Sequence, residues 1–405
     1  MDLFVARQPI FDSQQRVFAY ELLFRAGMVN SFDGTEENTA TSKVITAAFY
    51  SSEGEQLLGG KQAFINFPRA LLTGDGASII PPETAVIEVL ETVAPDEHVV
   101  ASCGELRSRG YRIALDDFVD TAAPYPLVPH AEYIKVDLRA ASIAQQAAIL
   151  DRYRGRVRFI AEKVETFEEF ERAKSMGFTY FQGYFFSRPV ITPIRQIPGF
   201  KLNYLQILRE IHATEMNVTN LSALVAREPS LSYKLLRFVN SALFTHLHEI
   251  DSLEHAFLFI GEDGIRRWLS VVTLMDLTSD KPAELAVTAL LRARFCELLA
   301  GAAGLGARAG ALFLMGMVSV LDAMLGRPLD QLLDGLGLQA ETQRVLLGEA
   351  APQEPAARLW KLVLAYEAAD WPQVVESAGA LGVAIEALPP LYSSAVAWAD
   401  ETFRL

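Results

Sequence analysis

The sequence predicts an α/β chain of two parts, a (β/α)8 barrel of the TIM type followed by an all-α domain, and two observations predict it. In the first half, seven short apolar runs alternate with helical segments, and each run carries a carboxylate, amide or amine at or near its end. Near residue 190 the apolar spacing changes to i, i+3, i+4, the period of a helix face.

The runs come in order. Phe18–Leu23 carries Glu21, Phe64–Asn66 ends in Asn66, Val86–Leu90 carries Glu88, and Ile113–Asp117 ends in the pair Asp116-Asp117. Tyr133–Asp137 carries Lys135, Phe159–Glu162 ends in Glu162, and Tyr180–Gln182 ends in Gln182. A polar residue closing one buried strand is commonplace. Seven in succession imply that several strand ends converge on one polar site, as at the C-terminal mouth of a barrel. Between the last two runs, residues 166–177 read as a helix with Thr166 as its N-cap and Gly177 as its stop. Strand, helix and strand at this spacing mean parallel pairing through crossovers.

The second half reads as helices. Leu221, Leu224 and Val225 share one face; Leu231, Leu235, Leu236 and Val239 share another, after Pro229 and a capping Ser230. Ser252 caps a helix with Leu253, Ala256, Phe257 and Ile260, which Gly261-Glu262-Asp263-Gly264 breaks before Ile265, Trp268, Leu269 and Val272 resume. Trp268 and Phe257 are expected in the core. The Pro-punctuated segment 189–193 is the link, giving domains 1–190 and 195–405.

With 405 residues, 51% hydrophobic, each part can bury a core of its own. A net charge of −14 speaks against DNA as a partner, because binding a polyanion needs clustered Lys and Arg. Cys103 and Cys296 form no CxxC pair, so a reducing cytoplasm is the expected compartment. The apolar stretch between Arg308 and Asp322 is shorter than the ~18 residues that span a bilayer. No membrane is expected as a partner.

Glu21, Asn66, Glu88, Asp116 and Asp117 supply hard oxygen donors from successive strands, which suits Mg or Mn and not zinc. Taken singly, Glu21, Asn66 and Gln182 are ordinary strand-end residues. Adjacent carboxylates such as Asp116 and Asp117 repel unless a cation offsets them. Two divalent ions bridged by one carboxylate would favour in-line attack of water on a phosphodiester, with Lys135 orienting that water.

These residues fall in stretches that resemble a known family. Tyr20-Glu21-Leu22-Leu23-Phe24-Arg25 resembles the signature of the EAL domain, a cyclic di-GMP phosphodiesterase, with Leu22 in place of the alanine. Gln8-Pro9-Ile10, Ala114–Phe118, Ala161–Glu165 and Phe181–Phe186 resemble its other motifs, so the likeness covers about residues 1 to 190. The resemblance implies that Glu21, Asn66, Glu88 and Asp116 hold one metal, with Asp116 and Asp117 sharing a second. The ions are expected to be one or two of Mg or Mn. It further implies that Lys135 and Glu162 position the water, Glu165 steadies the loop after the Asp pair, Gln182 orients the site, and Arg25 and Gln8 meet cyclic di-GMP. Active EAL barrels commonly pair, so a homodimer is among the expectations.

The helical part is similar to the HDOD domain, a relative of HD-type phosphohydrolases without their His-Asp pair, through Leu235–Phe244. None of the six histidines is followed by Asp, so no catalysis is assigned there. An output or protein-partner role is expected instead.

Three stretches depart from the EAL pattern. Val119 and Lys163 stand where glycine is usual, and residues 26–34 replace the usual wall after Arg25. The first metal's ligands are intact while the loop and wall are altered, so slow turnover is expected. A nonhydrolytic cyclic di-GMP receptor and an interaction scaffold with a degenerate site are the alternative readings.

Overall fold

The computed structural model describes residues 3–26, 58–74, 77, 80–119, 124–187, 199–211, 216–240, 250, 252–278, 281–333, 336 and 338–404. Each of the seven runs forms a strand: β2 (Val17–Ala26), β3 (Gln62–Phe67), β4 (Ala85–Val89), β5 (Arg112–Leu115), β6 (Tyr133–Asp137), β7 (Arg158–Glu162) and β8 (Tyr180–Gln182), with Leu90 just past the end of β4 and Asp116 and Asp117 just past the end of β5. An eighth, β1 (Leu3–Asp12), precedes them, and together they close into a barrel in chain order.

The barrel differs from a regular (β/α)8 at this first strand. β2 to β8 pair in parallel, whereas β1 runs antiparallel to both β2 and β8. A hairpin makes the reversal: Asp12 Oδ1 accepts from the Gln14 and Arg16 amides, and Gln15 takes φ 59° at the turn. A hairpin also leaves no crossover helix over the outer face of β1 and β2. The helical part fills that place, its Pro355–Glu367 and Leu388–Arg404 helices packing on β1.

Caps and breaks follow local chemistry. Thr166 and Glu169 form a capping box, and Gly177 ends that helix at φ 114°. Ser252 caps its helix through the His255 amide, and Gly261 (φ 76°, ψ 169°) kinks it. Ser230 is not a cap: the helix starts at Pro229 with Glu228 as N-cap, because proline at the first position needs no amide partner. Phe257 is buried, but Trp268 is half-buried and stacks on Phe238.

The Ala283–Ala302 helix is buried on nearly every side and forms the axis of the C-terminal part. The Ala309–Val318 helix crosses it so closely that a Cβ at Gly316 would stand 2.5 Å from the Arg292 carbonyl. Residues 241–244 of the HDOD-like stretch, with His246 and His248, lie outside the described residues. Among the described residues, no single helix is long and apolar enough to cross a membrane.

Candidate active site

The barrel interior is built in two layers. The lower is apolar: Ile10, Ala19, Phe64, Val86, Ala114, Tyr133, Ile160 and Tyr180, one from each strand. Side chains two positions apart on a strand share a face. Two residues further toward the mouth, the strands therefore deliver Gln8, Glu21, Asn66, Glu88, Asp116, Lys135, Glu162 and Gln182. On β1 the step runs backwards in sequence, from Ile10 to Gln8, because that strand is antiparallel. Asn66 stands directly opposite Glu88 on the neighbouring strand.

Lys135 sits at the centre and is 1% exposed. Its ammonium lies 3.1 Å from Glu21, 2.8 Å from Glu88, 2.8 Å from Asp116 and 2.9 Å from Glu162. Burial alone would lower its pKa, but Glu162, Glu21, Glu88 and Asp116 outweigh burial and hold the amine well above its ordinary value. Glu88 is fully buried, and that burial, with Glu21 beside it, drives its pKa well upward against Lys135. Burial likewise pushes Glu162 to about 8 despite Lys135. Gln182 Nε2 donates to Glu21 Oε2 at 2.7 Å and to Gln8 Oε1 at 3.1 Å.

Among the described residues no three His, Cys, Asp or Glu side chains by themselves form a metal's ligand set, since the point that the carboxylates share is held by the Lys135 ammonium. The donor chemistry nevertheless fits a hard cation. Four carboxylates face one ammonium. Asn66 Oδ1, Glu88 Oε2, Glu162 Oε2 and Gln182 Oε1 are buried oxygens without a hydrogen-bond donor. Such orphaned acceptors are costly unless a cation or donor meets them.

Asp117, Lys163 and Asp137 form the rim. Asp117 and Lys163 both take left-handed backbone, φ 40° and 55°, so the lysine standing where glycine is usual does adopt the conformation that glycine favours. Val119 does not; it is exposed with ordinary φ. Asp137 closes the fifth run and has no role in the sequence reading, although it follows Lys135 at the spacing that puts both on the same face of the strand. Burial would raise its pKa, but the Lys163 ammonium and the Arg139 and Ala140 amides hold it below the ordinary value. Glu165 is 3.0 Å from Arg139, in the turn after β6. Residues 120–123, in the loop that it was expected to steady, lie outside the described residues, as does the Arg25 side chain.

Gln8 connects this site to the helical part. Its Nε2 donates to the Glu367 carbonyl at 3.3 Å, and the Glu367 carboxylate is gripped by Arg292 at 2.8 to 3.1 Å. On the outer face, Arg7 pairs with Asp400 through two bonds of 2.9 and 3.0 Å and lies over the Tyr20 ring, while Tyr20 donates to Glu284 at 3.2 Å.

An EAL domain model matches residues 55–189 and an HDOD domain model residues 197–329. The cyclic di-GMP phosphodiesterase CdgJ of Vibrio cholerae is 36% identical over 99% of this chain and 93% of its own length. The chain belongs to the EAL–HDOD family. The YuxH protein of Bacillus subtilis is 32% identical, covering 92% of each chain. Klebsiella pneumoniae BlrP1, solved with calcium and cyclic di-GMP, is 26% identical over 47% of this chain and 56% of its own, with a TM-score of 0.38. The EAL match begins after β2, yet strand register brings Gln8 and Glu21, which precede it, into the same polar layer.

Proposed function

We propose that this EAL–HDOD protein is a cyclic di-GMP phosphodiesterase that opens one phosphodiester bond to give the linear dinucleotide. The observation that carries the reading is the layer of eight polar side chains, one delivered by each strand, with Lys135 at its centre and seven others around it. The full-length likeness to a protein named for that activity supports it.

In this reading Glu21, Asn66, Glu88 and Asp116 hold a divalent ion, and Mg or Mn suits these oxygen donors better than zinc. When bound, the ion offsets phosphoryl charge and makes water more acidic. Lys135 and Glu162 orient the attacking water. In its ionised form Glu162 can take the water's proton as oxygen adds to phosphorus and the bond from phosphorus to the ribose oxygen breaks, and the departing ribose oxygen takes a proton from solvent. Gln182 fixes the Glu21 carboxylate, while Gln8 and Arg25 serve the substrate, Arg25 through the planar fork that suits phosphate or guanine. The helical domain is the partner-binding module, and it grips the strand that carries Gln8. Free, buried Cys103 and Cys296 suit a reducing cytoplasm. Pairing of two barrels into a homodimer belongs to the same reading.

Calorimetry with cyclic di-GMP, followed by chromatography of the mixture after adding Mn, tests it. Heat of binding with a linear product supports the reading. Binding without product leaves a receptor, and no heat under any metal condition leaves a scaffold.

A further inference from the structure

We propose that the site takes one divalent ion and not two, because the Lys163 ammonium already stands as the second cation beside Asp117 and Asp137. The inference rests on the metal-dependent reading above and deepens it. Two carboxylate groups meet at the barrel mouth, and each has its own lysine. The inner group sets Glu21, Glu88, Asp116 and Glu162 against Lys135 alone, and it retains buried oxygens that no donor meets. That group has both the charge and the free acceptors for an ion.

In the rim group the lysine is bonded directly to one of its two carboxylates. Lys163 Nζ bonds Asp137 Oδ2, and Asp137 Oδ1 accepts from the Arg139 amide at 2.6 Å and the Ala140 amide at 3.2 Å. Both oxygens of Asp137 are therefore engaged. The same ammonium acts electrostatically on Asp117, opposing the burial and the repulsion from Asp116 and Asp137 that together hold the Asp117 pKa above its ordinary value.

The backbone agrees. A lysine at φ 55° persists only where its surroundings over-determine it, and the Lys163 side chain is more than half exposed, so packing alone does not hold it there. Its pairing with Asp137 supplies the constraint. A divalent ion bridging Asp116 and Asp117 would have to compete with a tethered cation whose release leaves Asp137 without its counter-charge.

The test is manganese stoichiometry by elemental analysis after equilibrium dialysis, with low-temperature electron paramagnetic resonance to detect coupled pairs of ions. Wild type is expected to hold one manganese per chain with no coupled signal. Lys163→Gly and Lys163→Gln are each expected to hold two with a coupled signal, and Lys163→Arg to stay at one. Two ions in wild type, or one ion in both Lys163→Gly and Lys163→Gln with unchanged circular dichroism, overturns the inference. No manganese in any of the four proteins overturns the metal-dependent reading itself.

Discussion

Gln8 and Gln182 are joined amide to amide at 3.1 Å, and each holds something further: Gln182 the Glu21 carboxylate, Gln8 the Glu367 carbonyl of the helical domain. Three hydrogen bonds in series thus link the proposed ion ligand Glu21 to the helical domain. Gln8→Leu is expected to lower kcat/KM about tenfold, the worth of one well-placed hydrogen bond of ~1.4 kcal/mol. Steady-state kinetics checks this, and an unchanged kcat/KM would disconnect Gln8 from the chemistry.

Lys135→Met removes the ammonium that the buried Glu21, Glu88 and Glu162 and the half-buried Asp116 share. Breaking a buried ionic cluster costs about 3–5 kcal/mol, so the metal-free variant should melt well below wild type. The deficit should shrink as pH falls, because Glu88 and Glu162, whose pKa values burial raises, become neutral. Manganese should raise its melting temperature more than it raises that of wild type. Scanning calorimetry with and without manganese measures both effects.

Asp400→Ala leaves the buried Arg7 guanidinium with the Tyr20 ring and Glu284 but without its bidentate partner. A loss of about 3 kcal/mol is expected, at the low end for a broken buried pair. Urea denaturation checks it; a loss under about 1 kcal/mol would show that this ion pair does not hold the domains together.

Glu284 supplies a pH dependence. Burial lifts its pKa to about 6 in spite of Arg7, against an ordinary value of 4.5. The folded state therefore binds the proton more tightly than the unfolded chain. The contribution favours folding at low pH and is lost as pH rises from about 4.5 through about 6, a change on the order of 2 kcal/mol. Glu284→Gln should remove that slope and be the more stable protein above pH 6. Parallel stability curves for the two proteins would refute the assignment.

Most of the barrel was legible because its strands are apolar runs with one polar residue at a fixed place, and that alternation is what register converts into an inner layer. β1 escaped it: Arg7, Gln8 and Pro9 interrupt the apolar pattern, Arg7 facing the helical domain and Gln8 the site. Asp137 was hidden by Lys135, two residues earlier on the same run. The central position of Lys135 was not legible either, since four carboxylates on four strands meet one amine only through the closure of the sheet. Lys163 was visible as a lysine in a glycine's place, but its left-handed backbone and its grip on Asp137 are tertiary facts. The contacts from β1 to Glu367 and Asp400 span most of the chain, and no local pattern encodes them.

The most direct test of the central claim is a single-turnover time course of cyclic di-GMP with the purified full-length protein, in manganese and again after chelation, beside Glu21→Gln. Linear dinucleotide should form with wild type and manganese, stop on chelation, and be absent with Glu21→Gln. Product that forms equally after chelation, or undiminished with Glu21→Gln, would contradict a metal-dependent centre built on the polar layer of this barrel.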